Sequence, residues 1–413
     1  MSKPHRIIRF VSAVLLLSAL MPLRSSMGDT LTIDTAVSLG LGKHPDFRFA
    51  RGGLNVARGD FWRTVSPASP IASIENEQVP RGLGISNYGE QRIGIGQSLE
   101  FPVVTIFRAR AMALAAQSAE SNTELAKAAS RSEIRMTFVR AWLSGLRAVA
   151  ADSLANAAEL LARSGEKREA VGEITSLEKD RLTVQKEQFA REHAAAQLRL
   201  RVAVTQLEQL IGTQLEPGIV LAKPALEELA NPENADLEDE SAFVKRAVLL
   251  GESSRSWLTA EKLAWLPRIE VRIFRQLASN EKFWGGELGF SLPVWYMLGE
   301  RGDIQKARGE SEKALASSES ARREWATRWT EASLSLDAAL NTLGNFEGSA
   351  LPVSRRALRA AIRSYEVGEV GITDLLSSFI QEQGVELGYL DAIENAWHWR
   401  TQLDILTAGY QKK

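Results

Sequence analysis

The sequence contains no cysteine in its 413 residues. Disulfide bonds, thiolate metal sites and a cysteine-linked lipid anchor are therefore excluded. Histidine is scarce too, and His44, His193 and His398, the three outside the N-terminal segment, are far apart in the sequence. None has the spacing of a metal-ligand set or a catalytic triad, and no glycine-rich phosphate loop is present. The sequence thus predicts no enzyme, no metal site and no cofactor.

Excess charge of one sign is also lacking. Residues 1–28 hold four basic residues and no acidic one, so removing them from the 50 basic and 51 acidic residues leaves a net charge of −5. A mildly acidic chain has no electrostatic basis for binding nucleic acid. After residue 30, no apolar run approaches the length of a transmembrane helix. Any entry of the mature chain into a membrane must therefore use β-strands.

Residues 1–28 have the layout of a secretory signal peptide. Three basic residues precede an apolar core from Phe10 to Leu23, and small residues follow it. The alternative is a membrane-anchoring helix, but this core is too short to cross a bilayer comfortably. We expect export, with cleavage near Met27 or Gly28.

Four short segments alternate between apolar and polar residues, which predicts β-strands. They lie at about 71–78, 91–101, 267–276 and 286–294. In the second pair, the apolar positions that we expect to face lipid are Ile269, Val271, Ile273, Leu288 and Phe290. Arg268, Glu270 and Arg272 occupy the opposite face, and we expect the two strands to be joined across 276–285.

Aromatic residues flank both strand pairs, among them Trp265 and Trp284 beside the second and Trp62 and Phe101 beside the first. One such strand alone would fit the half-buried strand of a soluble sheet. An apolar band with aromatic edges and a charged opposite face is typical of an outer-membrane β-barrel with a wet lumen. Four strands cannot close a barrel, and an open edge in lipid leaves backbone groups unpaired. We therefore expect several copies to share one barrel.

Long helices make up most of the chain, and we predict them at 103–164, 174–211, 299–366 and 373–409. Two of them carry apolar positions that step by four and three residues, the pattern of a coiled-coil seam. The first seam is Phe189, His193, Ala196, Leu200, Ala203, Leu207 and Leu210, and the second is Leu376, Ile380, Gln383, Leu387 and Leu390. Both seams are thin, which suits helices that pack on neighbours at both sides.

The same order of elements occurs twice, which indicates a duplication. We divide the chain into a first repeat at 29–216, a linker rich in proline and acidic residues at 217–240, and a second repeat at 241–413. Each repeat breaks its long helix once, at REAVGEITSLEKDRL (168–182) and at YEVGEVGITDLL (365–376). Only the second has a further irregular stretch, LGNFEGSALP (343–352). The predicted fold class is mainly α with a small β part.

Segments along the whole mature chain resemble the TolC-type outer-membrane efflux protein family. LTIDTAVSLGLGKHPDFRFARGGLNVARG looks like the family's opening helix, and ENEQ followed by IGIGQSLEF is similar to the first strand pair of its CzcC-like heavy-metal branch. VGEITSLEKDRL resembles that branch's first helical break, and YEVGEVGITDLL with YLDAIENAWHWRTQLDILTAG resembles its second. The counterpart of the opening helix in the second half, at 243–265, is short and lacks a match to HPDFR.

The resemblance implies a homotrimer in which four strands per chain form a twelve-stranded outer-membrane barrel, continuous with a periplasmic α-helical barrel. Such a trimer is the passive exit duct of a tripartite efflux system, working with a periplasmic adaptor and an inner-membrane pump. Metal cations fit the heavy-metal branch as cargo, whereas drugs, or proteins in type I secretion, fit the same fold. The alternative from another class is a periplasmic coiled-coil scaffold that never enters the membrane.

The resemblance also implies roles for the two breaks, which look like the family's helix turns at the periplasmic tip, where the adaptor docks. The residues concerned are Gly172, Glu173, Thr175, Ser176, Gly368, Glu369, Gly371 and Thr373. The alternative is that they are turns without a partner. Asp374 falls where family members carry an acidic residue near the closed pore entrance, and some relatives have a second acid where this chain has Ser377. A helix-capping role for Thr373 and Asp374 is equally compatible with the sequence.

Overall fold

The computed structural model describes residues 30–82, 84–216, 219–230, 237–278, 281–291, 301–366 and 369–410. The predicted signal peptide and Gly368 lie outside these ranges. The described chain is mostly helical with a small sheet, as the predicted fold class requires. None of its helices combines the length and the apolar character needed to span a membrane.

Nine α-helices are described. They are α1 (Ile33–Gly40), α2 (Pro45–Val65), α3 (Pro102–Ala170), α4 (Ser176–Ile211), α5 (Leu237–Glu240), α6 (Ala242–Lys262), α7 (Arg301–Asn345), α8 (Leu351–Glu366) and α9 (Ile372–Leu406). A 3₁₀ turn, Leu226–Leu229, precedes α5. Helix α3 has 69 residues, and at 1.5 Å per residue it is about 100 Å long. It begins at a proline, which is favourable at the first helical position because its missing N–H needs no partner there.

The irregular stretch in the second half is a bulge rather than a break. Residues Phe346–Ala350 form one π-helical turn between α7 and α8, and the backbone on either side, at Asn345 and Leu351, stays helical. Pro352 follows in α8, where it lacks an N–H and would crowd the carbonyl of Gly348 in a regular helix. A widened turn relieves that contact without ending the helix.

The main sheet has four antiparallel strands in the order β2-β3-β5-β6. The strands are β2 (Ile71–Glu77), β3 (Glu90–Leu99), β5 (Arg268–Ala278) and β6 (Glu281–Ser291). Two further strands of two residues each, β1 (Thr30–Leu31) and β4 (Val220–Leu221), pair in parallel. The first strand pair agrees with the predicted segments.

The second hairpin is tighter than predicted. Ala278 pairs with Glu281, so the expected loop across 276–285 is largely strand. Strand β6 therefore begins at Glu281 rather than at 286, and Trp284 lies inside the strand, opposite Arg275, rather than at its end. Cross-strand pairing overrides the apparent loop because each added residue pair satisfies backbone groups. The predicted residues 292–294 lie outside the described ranges.

The main core joins the middle of α3 to α7 and α9. Its largest fully buried side chains include Phe138, Leu336 and Trp397. Trp325 stacks on Trp329 with ring centroids 5.4 Å apart, and its indole N–H donates to the carbonyl oxygen of Leu406 at 3.0 Å. Small residues bring other helices close: the Ser253 hydroxyl of α6 donates to the carbonyl of Ala111 in α3 at 2.7 Å.

The two predicted seams differ in outcome. In the first, Phe189, Ala196, Ala203 and Leu207 are buried and the other members are half-buried. In the second, Leu376 and Leu390 are buried, whereas Ile380 is 42% exposed in the single chain. Phe379 packs against the buried cluster instead. Phe379 lies three residues after Leu376 and Ile380 lies four residues after it. Both spacings are compatible with the helical period of 3.6 residues.

Candidate functional site

The sheet has one apolar face that is largely exposed. Directly opposed residues of paired strands lie on the same face, and Ile269 opposes both Leu99 and Phe290, while Val271 opposes Leu288 and Ile273 opposes Ile95. The predicted apolar residues on this face are exposed by 40% at Val271, 55% at Ile273, 63% at Leu288 and 57% at Phe290, with Ile269 half-buried. The structure therefore brings all five together in one exposed apolar band.

The opposite face carries an ion-pair network. Glu75 lies 3.5 Å from a guanidinium nitrogen of Arg92 and 3.6 Å from one of Arg272, which also lies 3.6 Å from Glu287. Glu75 and Arg92 are direct cross-strand partners, as are Arg272 and Glu287. At these four positions, acids and bases thus lie side by side on neighbouring strands.

Phe274 also lies on the charged face, on the same side of β5 as Arg268, Glu270 and Arg272. Its ring covers Gly285 on the neighbouring strand, where a Cβ atom would come within 2.4 Å of the ring. The guanidinium carbon of Arg92 lies 4.7 Å from the ring centroid, a cation–π contact. The glycine therefore makes room for an aromatic side chain that supports the arginine.

The first predicted break is a tight turn between α3 and α4. Gly172 adopts φ +79°, a conformation that costs other residues free energy, and the Glu173 N–H donates to the carbonyl of Arg168 at 2.8 Å. Helix α4 then begins with a capping box. The Glu178 N–H donates to the Thr175 hydroxyl at 3.2 Å, and the Thr175 N–H donates to the Glu178 carboxylate at 2.9 Å. The Thr175 hydroxyl also donates to this carboxylate, at 3.1 Å. The Thr175 N–H, as the larger cause, and this hydroxyl lower the pKa of Glu178.

The second break, between α8 and α9, uses equivalent hydrogen bonds. The Glu369 N–H donates to the carbonyl of Ser364 at 2.8 Å. Gly371 is the N-cap of α9, and its N–H donates to the Asp374 carboxylate at 3.4 Å. Thr373 is therefore inside the first helical turn, and the predicted cap at Thr373 and Asp374 is corrected to Gly371 with Asp374 three residues on.

The two turns share one buried cluster, so the structure brings the predicted turn residues to one end of the helices α3, α4, α8 and α9. The cluster includes Leu182, Ile372 and Leu375. The guanidinium carbon of Arg168 lies 5.0 Å from the ring centroid of Tyr365, which links the ends of α3 and α8. The described turn residues, all exposed, are Gly172, Glu173, Thr175, Ser176, Glu369, Gly371 and Thr373.

Sequence reasoning missed two apolar residues at the first turn. Val171 is 71% exposed and Leu177 is 60% exposed. They flank the exposed polar residues of the turn and give it an apolar edge. Their position directly beside Gly172 and Ser176 was a signal that the sequence offered.

The π-helical turn is tied to α9 by one polar contact. The Tyr389 hydroxyl donates to the Glu347 carboxylate at 2.7 Å. Burial, together with this carboxylate, raises the pKa of Tyr389 to about 12. Nearby in α9, burial and the neighbouring Glu386 raise the pKa of Glu382, against the effect of Arg355. The sequence analysis did not predict this contact between the π-helical turn and α9.

The fold places acidic residues around His44, although its sequence neighbourhood showed no ligand pattern. His44 is 4% exposed, and its Nε2 atom lies 3.2 Å from the Glu133 carboxylate. Its Nδ1 atom lies 3.0 Å from the Ser130 hydroxyl. Asp46 completes a group whose ligand atoms all lie within 4.8 Å of one another. By contrast, the structure gives His193 one nearby carboxylate, at 3.6 Å.

No protein-family model matches the sequence, and none of the curated proteins does. Solved structures do share the fold. A membrane protein from Pseudomonas aeruginosa aligns with a TM-score of 0.77 and 16% identity over 91% of this chain and 90% of its own. The open-state MtrE outer membrane channel of Neisseria gonorrhoeae gives 0.76 and 15% over 91% and 89%. The CmeC outer membrane channel of Campylobacter jejuni gives 0.75 and 14% over 91% and 85%. The chain thus has the fold of these outer-membrane channels along nearly its whole described length.

Proposed function

We propose that this chain is the outer-membrane exit duct of a tripartite efflux system. Three copies share one twelve-stranded barrel, to which each contributes β2, β3, β5 and β6. The long helices continue the duct into the periplasm as an α-helical barrel. The duct is passive, and an inner-membrane pump acting through a periplasmic adaptor supplies the energy.

The observation that carries this proposal is the two-sided sheet. One face is an exposed apolar band and the other holds an ion-pair network around Glu75 and Arg272. A membrane-inserted barrel has one face in lipid and the other in water. This sheet has an apolar face that suits lipid and a charged face that suits water. Its outer strands, β2 and β6, each pair on one side only among the described residues. An open edge in lipid is unfavourable, which supports a shared barrel.

We propose further that the two turns are equivalent points of a duplicated chain and that both dock the adaptor. Their hydrogen bonds recur at a constant offset of 196 residues, since Glu173 corresponds to Glu369 and Glu178 to Asp374. Two exposed turns per chain give a trimer six equivalent contacts. Asp374 then contributes one carboxylate to a ring of three at the pore entrance, beside its role in the cap.

Metal cations are the cargo that we propose first, because ENEQ (75–78) and IGIGQSLEF (93–101) are similar to the heavy-metal branch. Drugs, or proteins in type I secretion, use ducts of the same fold and stand as the alternatives. Substrate choice lies upstream, in the pump, in all three cases.

The first test is to separate inner and outer membranes, extract the protein with detergent and measure its mass. We expect a species of three chains in the outer-membrane fraction, and we expect it to form conducting pores in planar lipid bilayers. A monomer or dimer in the soluble periplasm contradicts the duct and leaves the coiled-coil scaffold.

Docking is tested by cross-linking, which the absence of cysteine makes clean. Ser176→Cys and Glu369→Cys carry the only thiol at each turn, and Lys313→Cys, which is exposed on α7, is the matched control. We expect a thiol-directed cross-linker in cells to join a periplasmic adaptor to the two turn variants and not to the control. Equal labelling of all three variants contradicts docking at the turns.

A further inference from the structure

We propose that His44, Asp46 and Glu133 form a binding site for a divalent transition-metal cation such as Zn²⁺. The imidazole and the two carboxylates offer ligand atoms that all lie within 4.8 Å of one another. Imidazole and carboxylate are ligands that Zn²⁺ accepts in proteins. The site is independent of the duct's cargo and of the proposed function.

The spacing of the first two ligands suits a metal ion. His44 Nε2 and the Glu133 carboxylate oxygen are 3.2 Å apart. Two ligands at the Zn–N and Zn–O distances of about 2.1 Å, set at a tetrahedral angle, are separated by about 3.4 Å. A cation can therefore enter between these atoms with little movement of either side chain.

The histidine is already held in the orientation that a metal ligand needs. Its Nδ1 atom lies 3.0 Å from the Ser130 hydroxyl, which leaves Nε2 directed at Glu133. Ser130 and Glu133 are three residues apart on α3, so both face the same side of that helix. The His44 backbone is fixed as well, since its carbonyl accepts from the Arg48 N–H at 3.1 Å. Such a second contact to a ligating histidine is typical of metal sites.

The third ligand and the local charge support binding. In the part of the chain that the structure describes, no hydrogen bond or ion pair engages the Asp46 carboxylate, which is exposed and lies in the first turn of α2. Glu133 is half-exposed, so the site opens to solvent on one side. The neighbouring Lys43 directs its ammonium group away, to the carbonyls of Ile211 and Gly212 at 3.2 Å each. Two carboxylates then balance the charge of a divalent cation.

The test is calorimetric titration of the full-length, metal-free, untagged protein in detergent with Zn²⁺. The visible absorption of bound Co²⁺ serves as a second readout, since a four-coordinate site with nitrogen and oxygen ligands gives intense d–d bands. We expect one ion per chain. Glu133→Gln and Asp46→Asn preserve side-chain shape and should each weaken binding at least about tenfold, and Ser130→Ala should weaken it by about ten to a hundredfold.

The matched control is His193→Asn, because His193 has one nearby carboxylate, Asp152, at 3.6 Å. This variant should bind Zn²⁺ as the parent does. His44→Asn should abolish binding while keeping a residue that caps α2 well, and unchanged circular dichroism excludes unfolding as the cause. If the parent takes up no Zn²⁺, or if Glu133→Gln binds as tightly as the parent, the cluster is a hydrogen-bonded pair only and the metal site is wrong.

Discussion

Glu178 and Asp374 hold the same position in two helices that begin 196 residues apart. Each carboxylate accepts a hydrogen bond from the backbone N–H three residues earlier, at Thr175 and at Gly371. The contact therefore accounts for both acids as helix caps. It also provides a way to separate capping from a pore role, because only Asp374 is proposed to line the entrance.

The first prediction compares Asp374→Asn with Glu178→Gln. Each change removes a charge from a helix cap, so the local loss of helix stability should be similar. In planar bilayers, Asp374→Asn should change the single-channel conductance and lower the cation-to-anion permeability ratio, since three carboxylates leave one ring. Glu178→Gln should change neither. Equal, small effects of the two substitutions would show that Asp374 acts as a cap only.

The second prediction concerns pH and the first turn. The pKa of Glu178 is lowered from its ordinary value of 4.5 by hydrogen bonds that exist only in the folded turn. The folded state therefore binds the proton less tightly than the unfolded state, and the contribution to stability is present above pH 4.5. It should disappear as the pH falls through the lowered value. Hydrogen exchange at the start of α4 should accelerate over that range, and in Glu178→Gln this acceleration should be absent.

The third prediction tests the apolar band. Val271→Arg places a charge on the exposed apolar face, opposite Leu288. An arginine at the middle of a bilayer costs about 2–4 kcal/mol per chain, so outer-membrane assembly should fall sharply in membrane fractionation. Ser98→Arg is the control, because Ser98 lies on the charged face opposite Glu270 and should assemble normally. Normal assembly of Val271→Arg would contradict contact with lipid.

The fourth prediction compares two glycines to separate the effect of backbone conformation on stability from the effect of side-chain packing. A Cβ atom would meet no atom within 4 Å at either Gly172 or Gly384. Gly172 has φ +79°, so Gly172→Ala should destabilise the turn by about 1–2 kcal/mol. Gly384 lies inside α9, so Gly384→Ala should stabilise that helix by about 0.5–1 kcal/mol. Opposite changes in local hydrogen exchange are expected, and changes of the same sign would contradict this account.

The fifth prediction concerns the π-helical turn. Tyr389→Phe removes the hydroxyl that donates to Glu347, which should cost about 1 kcal/mol and accelerate hydrogen exchange at 346–350. The raised pKa of Tyr389 means that its contribution to stability is complete below the ordinary value of 10.0 and is lost as the pH rises through about 12. The pH titration is followed by tyrosinate absorbance, read after rapid mixing to each pH. In the parent, one tyrosine should ionise at a higher pH than the others. If an ionisation at this high pH persists in Tyr389→Phe, it belongs to another tyrosine and the assignment to Tyr389 is wrong.

The sequence by itself determined the features that depend on local periodicity. Alternation at period two identified β2, β3 and β5 to within about two residues, because a strand that separates two environments must alternate. Gly172 marked the turn after α3, since a left-handed conformation favours a residue without a Cβ atom. The first seam of α4 followed equally from the helical period. These are short-range consequences of backbone geometry.

Only the tertiary structure decided which distant residues meet. His44 and Glu133 are 89 residues apart and come together because α2 packs on α3. Arg168 meets Tyr365 because two helix ends converge on one buried cluster. Within the single chain, Phe379 and not Ile380 packs against the cluster at the turns, because helical spacing permits steps of three or four and the neighbouring helices select between them. The hairpin of β5 and β6 closed at Ala278 and Glu281 because strand pairing satisfies backbone groups that a loop leaves open.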